Sequence, residues 1–67
     1  KMKVKNFLTL PSGTLIRKTS VIGVFAFEER STIIVETYNG GEYPVEVKAP
    51  RQFSAVLTSI AVQLNEE

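Results

Sequence analysis

Val21-Ile-Gly-Val-Phe-Ala-Phe27, Thr32-Ile-Ile-Val-Glu-Thr37 and Glu42-Tyr-Pro-Val-Glu-Val47 are three β-type runs separated only by short polar breaks. Valine, isoleucine, threonine, tyrosine and phenylalanine dominate them, the side chains that suit a pleated, half-buried surface. The first break is Glu28-Glu-Arg-Ser31 and the second is Tyr38-Asn-Gly-Gly41. Asn-Gly between two such runs is a hairpin signal, because glycine takes the positive φ of a tight turn at no steric cost.

The loop length of that hairpin follows from the faces it creates. A three-residue loop at Asn39-Gly40-Gly41 places Ile33 opposite Val47, Val35 opposite Val45 and Thr37 opposite Tyr43, so that one face is apolar. The other face then carries Thr32, Ile34, Glu36, Glu42, Pro44 and Glu46. A two-residue loop sets Val35 against Pro44 and Ile33 against Glu46, which mixes the faces. The expected turn is therefore type I ending in a bulge, with Gly41 left-handed. Pro44 has no N–H for a ladder, so its strand is expected at a sheet edge or with the proline nitrogen facing outward.

Upstream, Phe7-Leu-Thr-Leu10 and Thr14-Leu-Ile-Arg17 flank Pro11-Ser12-Gly13, a turn with proline early and glycine at its end. Residues 7 to 17 thus read as a first hairpin, and Lys18-Thr19-Ser20 as a polar break. Downstream the period changes. Phe53, Val56, Leu57, Ile60, Ala61 and Leu64 form one stripe of an α-helix. Pro50 suits its first turn, while Ala49 is a weak N-cap, so the stripe and not the ends must hold the helix. The pattern predicts a single α+β domain over residues 1–67. It has a four- to five-stranded antiparallel sheet and one C-terminal helix, with a small closed barrel as the alternative. Strands are expected at about 3–10, 14–18, 21–28, 32–38 and 42–48, and the helix at about 50–64.

Val21–Phe27 is apolar on both faces, with Ile22, Val24 and Ala26 on one and Val21, Phe25 and Phe27 on the other. One helix covers only one face of a sheet. Either the sheet curls and buries both sets within the chain, or the second face meets another copy. Ile34, set among glutamates on the face that should be wet, supports the second arrangement. Self-association is also a common way for so small a domain to gain core, since at this size only about 60% of the unfolded surface is buried on folding. Phe25, Phe27 and Ile34 are the expected self-association residues.

Composition excludes much chemistry. A chain that is 43% hydrophobic and 22% charged folds, and it contains no cysteine and no histidine. The acidic residues are all glutamates: Glu28, Glu29, Glu36, Glu42, Glu46, Glu66 and Glu67. Disulfides, thiolate metal sites and cysteine–histidine or serine–histidine nucleophiles are thereby removed. Glu28-Glu29 beside Arg30 reads as a solvated turn, and Gly13, Gly23, Gly40 and Gly41 make no phosphate loop. No catalytic residue, metal site or cofactor is expected, and the chain reads as not an enzyme. No apolar run reaches the roughly 18 residues of a membrane span, so a cytoplasmic protein is expected, with Met2 as its natural start.

Basic residues suggest an alternative. Lys3 and Lys5, Arg17 and Lys18, and Lys48 and Arg51 lie at the ends of predicted elements. If those ends met, Lys3, Lys5, Arg17, Lys18 and Arg51 would bind a small anionic ligand or nucleic acid, helped by the helix N-terminus. Ordinary solubilising charge explains the same residues, and the net charge of +1 favours no nucleic-acid partner by itself.

The run from Phe7-Leu-Thr-Leu-Pro-Ser-Gly13 through Ile22, Ile33-Ile-Val35, Asn39-Gly40 and Val45 to the final helix resembles the small flagellar FlbD/SwrD-type proteins. The resemblance implies a first hairpin, a second hairpin closed by an Asn-Gly turn, and a C-terminal helix. The Val-Phe-Ala-Phe run and the Tyr-Pro pair depart from that pattern. Small accessory proteins of phages and bacteria fit the same outline. The functional expectation is a non-catalytic, self-associating regulatory or accessory module, a homo-oligomer that binds a partner protein or holds a small ligand between subunits.

Overall fold

The same turn chemistry closes both hairpins of the chain. In a computed structural model describing residues 6–66, the Leu10 amide donates to the Thr14 carbonyl (2.9 Å) and the Gly13 amide to the Leu10 carbonyl (2.8 Å). The Thr37 amide likewise donates to the Gly41 carbonyl (2.9 Å) and the Gly40 amide to the Thr37 carbonyl (3.1 Å). Each loop has three residues and ends in a left-handed glycine, Gly13 at φ 94° and Gly40 at φ 78°. The strands are β1 (Phe7–Thr9), β2 (Leu15–Arg17), β3 (Val21–Phe27), β4 (Thr32–Thr37) and β5 (Glu42–Glu46). The polar breaks Lys18–Ser20 and Glu28–Arg30 are single 3-10 turns. A third 3-10 turn, Pro50–Gln52, leads into α1 (Phe53–Asn65). Proline opens that turn, and no side chain caps either it or the helix.

The five strands do not form one sheet, nor a closed barrel. β1 and β2 make a two-stranded ribbon, and β3, β4 and β5 a separate three-stranded antiparallel sheet in that order. The 3-10 turn at Lys18–Ser20 lies between them: the Val21 amide bonds back to the Lys18 carbonyl, while the Lys18 amide still reaches the Asn6 carbonyl beside β1 and the Ser20 carbonyl accepts from Tyr38 after β4. Residues 3–5 of the expected first strand, with Lys3 and Lys5, lie outside the described residues.

The second hairpin keeps the expected faces but not the expected register. Ile33 pairs with Val45, Ile34 with Pro44 and Val35 with Tyr43. This is a slip of two residues along β5, and because side chains alternate with period two it leaves every residue on its expected face. The reason lies in which glycine turns. Gly40, not Gly41, takes positive φ, and Gly41 instead gives room, since a Cβ there would lie 2.8 Å from Thr37 Oγ1.

β3 also departs from plain alternation. Its register against β4 shifts between Val21, which pairs with Thr37, and Gly23, which pairs with Glu36. The extra residue is Ile22, bulged beside the glycine, and the bulge turns Val21 onto the core side together with Val24. Ile22 is left exposed.

The core is the inner face of β4 and β5 (Ile33, Val35, Val45) with Val47 just after β5, closed by Leu8, Leu10 and Ile16 of the first hairpin and by Phe53 and Ile60 of α1. Ile33, Val35, Leu8 and Ile60 are completely buried. Val56, Leu57 and Leu64 of the predicted stripe pack beside them, whereas Ala61 is exposed. The helix is held to the ribbon by a side chain that imitates a strand. Gln63 Oε1 accepts from the Thr9 amide (2.8 Å) and Gln63 Nε2 donates to the Thr9 carbonyl (3.1 Å).

Two outcomes test this layout. Gly40→Ala should cost about 1 kcal/mol in urea unfolding, from the left-handed backbone alone, since open space surrounds the position. Gln63→Leu should cost a further ~1 kcal/mol and speed exchange of the Thr9 amide, leaving the β4–β5 amides protected.

Candidate functional site

Alternation along β4 decides what the outer surface of the sheet is made of. Thr37 and Ser31 bond toward β5 and the segment after it, to Gly41 and Val47, while Tyr38 bonds toward β3, to the Ser20 carbonyl at 3.1 Å. The odd-numbered residues of β4 therefore bond to β5 and point into the core, and the even-numbered ones bond to β3 and point outward. Outward lie three cross-strand rows: Phe27, Thr32 and Glu46; Phe25, Ile34 and Pro44; and Gly23, Glu36 and Glu42.

This face is apolar along β3 and acidic along β5. Phe25 is 48% exposed, Phe27 43% and Ile22 49%. Ile34 is half-buried between Phe25 and Pro44. Glu36 and Glu42 pair directly across the ladder. The Arg30 guanidinium stands over the Phe27 ring, 5.9 Å from its centroid, and extends the apolar row with a planar cation. Arg30 is fixed by the turn before β4. Ser31 adopts the left-handed conformation (φ 53°), its amide donates to the Glu28 carbonyl, and its hydroxyl donates to the Val47 carbonyl (2.8 Å).

Phe25, Phe27 and Ile34, the residues expected to mediate association, thus lie together on one surface, with Phe25 and Ile34 directly paired. Ile22 joins them only because of the bulge. A glycine inside an apolar strand is the sequence signal for such a bulge. Arg30 has no comparable signal, because its place over Phe27 depends on the 3-10 turn.

The basic residues are distributed differently. Arg17 lies over the Phe7 ring (5.3 Å to the centroid). Lys18 turns its largely buried side chain toward Glu66, with Nζ 3.9 Å from Oε1. That places Lys18 at the C-terminal end of α1, whereas Arg51 precedes its N-terminus. Thirteen helical residues separate the two, about 20 Å. Among the described residues the expected anion-binding set does not converge, and Lys3 and Lys5 lie outside them. No group of three or more potential metal ligands occurs among the described residues.

A cavity of about 460 Å³ opens between Thr9–Pro11 and the helix face of Ala55, Ser59 and Gln63. Its size suits a small ligand, but its lining has no charged side chain to orient one. No helix is long and apolar enough to cross a membrane among the described residues. No protein-family model, curated protein or solved structure matches the chain.

Exposure sets how substitutions here should behave. Phe25→Ser should change the stability of the isolated chain by no more than about 1 kcal/mol, as for a surface position. Ile33→Ala, one residue from Phe25's partner on the opposite face, should cost about 2–5 kcal/mol. Chemical denaturation at low protein concentration distinguishes the two.

Proposed function

We propose that this protein is a non-catalytic, self-associating binding module that meets a second copy of the chain through the apolar surface along β3. The observation that carries this reading is the row formed by Phe25, Ile34 and Pro44, flanked by Phe27 and Ile22. Two half-exposed phenylalanines beside an arginine form the kind of anchor on which interface energies concentrate. Burying even part of such a row yields about 25 cal/mol per Å² of apolar surface, which is a substantial gain for a domain this small.

The oligomer is the platform for a further partner, a protein or a small ligand held between subunits. A cytoplasmic accessory role of the phage or bacterial kind belongs to the same proposal. Its support is the order of a first hairpin, a second hairpin with an Asn-Gly turn and a C-terminal helix, shared with the FlbD/SwrD-type outline. Binding of nucleic acid or small anions draws less support, because Arg17, Lys18 and Arg51 are engaged or far apart.

Sedimentation velocity over a wide concentration range tests the proposal. The wild type should sediment as a species of at least twice the 7.4 kDa chain mass. Phe25→Glu with Phe27→Glu should shift it to the monomer with unchanged circular dichroism. A wild type that stays monomeric at every accessible concentration overturns the reading.

A further inference from the structure

Each strand at a sheet edge presents unpaired N–H and C=O groups, and soluble proteins close such edges. In this chain the edges are treated unequally. The outer edge of β1 is occupied at Thr9 by the Gln63 amide. β2 is only three residues long. β5 carries exposed Glu42 and Glu46, and Pro44 stands at its centre. Pro44 pairs with Ile34, whose own backbone bonds to β3, so the proline nitrogen faces outward, where no ladder can use it.

β3 has none of these devices. It is seven residues long, uncharged and free of proline. It pairs only with β4, and among the described residues no other backbone or side-chain hydrogen bond reaches residues 22–27. Phe25 and Phe27 lie opposite the outward-pointing Ile34 and Thr32, whose backbones bond toward them. The N–H and C=O groups of Val24 and Ala26 therefore point away from the sheet. Ala26 is itself exposed although it faces the core side, so the end of β3 is bare on both faces as well as along its edge.

Resting on the reading that β3 is the association surface, we propose that the second copy docks edge to edge. The β3 strands of two chains pair antiparallel about a two-fold axis at Phe25, which sets Val24 of each copy against Ala26 of the other, and join two three-stranded sheets into one of six strands. The flanking charges select the direction. Arg17 precedes β3, with Lys18 turned away to Glu66, and Glu28 and Glu29 follow it together with Arg30, which leaves that end net acidic. Antiparallel pairing sets the basic start of one strand beside the acidic end of the other, whereas parallel pairing sets like beside like. The Phe25 and Phe27 side chains of the two copies then meet on one continuous outer face, where cross-strand aromatic pairs stabilise a sheet.

Amide hydrogen exchange of the wild type, with sedimentation of Ala26→Pro, tests the edge separately from the face. The Val24 and Ala26 amides should be protected in the oligomer and lose that protection on dilution to the monomer. Ala26→Pro removes an outward donor at an edge position, where proline is tolerated, and should abolish the oligomer with the β4–β5 amides still protected. If the chain remains an oligomer while those two amides exchange as in the monomer, edge pairing is overturned and association through the face survives. A chain that is monomeric throughout removes both proposals. Since the chain has no cysteine, Ile22→Cys reports direction. It should not cross-link to its own counterpart, and a homodisulfide formed there overturns the antiparallel arrangement.

Discussion

Ile33 and Val35 lie completely buried at the centre of β4, and the rest of the molecule is arranged by keeping them there. Their side chains fix which way the strand faces, and their backbones fix β5 on one side. The residues between them, Ile34 and Glu36, are consequently directed outward and committed to β3. One strand thus allots the core to the helix side and leaves the opposite face to whatever sequence Ile34, Phe25 and Phe27 provide. With a single helix and a short ribbon available, only the first of those faces is covered by the chain itself.

Much of this was legible in the sequence, because period-two alternation survives small errors. The faces of the second hairpin were correct although the register was two residues off, and that slip is one to which alternation is blind. With glycine at both 40 and 41, composition cannot say which takes positive φ. The first hairpin held the answer, since Gly13 closes a loop of identical geometry. Phe25, Phe27 and Ile34 were recognisable as a surface because apolar residues on a face shared with glutamates contradict solvation. The division into two sheets was not legible, because three polar residues at Lys18–Ser20 read equally well as a loop or as a 3-10 turn. Convergence of the basic residues depended on tertiary placement, and α1 separates them by its own length.

The helix illustrates how weak local signals are replaced by tertiary ones. It has no capping side chain at its N-terminus and no charged residue between Phe53 and Asn65. Intrinsic preference for so short an uncapped segment is marginal in water. Phe53 and Ile60 anchor it in the core, and Gln63 fastens its last turn to the backbone of β1. Helix and ribbon therefore stabilise each other, and loosening of one exposes both a strand edge and the cavity beside Thr9.

Pro44 and Gln63 have a meaning beyond stability when edges are counted as valences. A sheet with one open edge can add one neighbour and is then saturated, so growth stops at two chains. A sheet with two open edges adds a neighbour at each end and has no natural length. In the three-stranded sheet one proline nitrogen facing outward from β5 separates these regimes, the finite particle from the open-ended fibre, and the glutamine amide against Thr9 does the same for the separate ribbon. In a chain whose remaining edge is as apolar as Val21–Phe27, that separation rests on very few atoms.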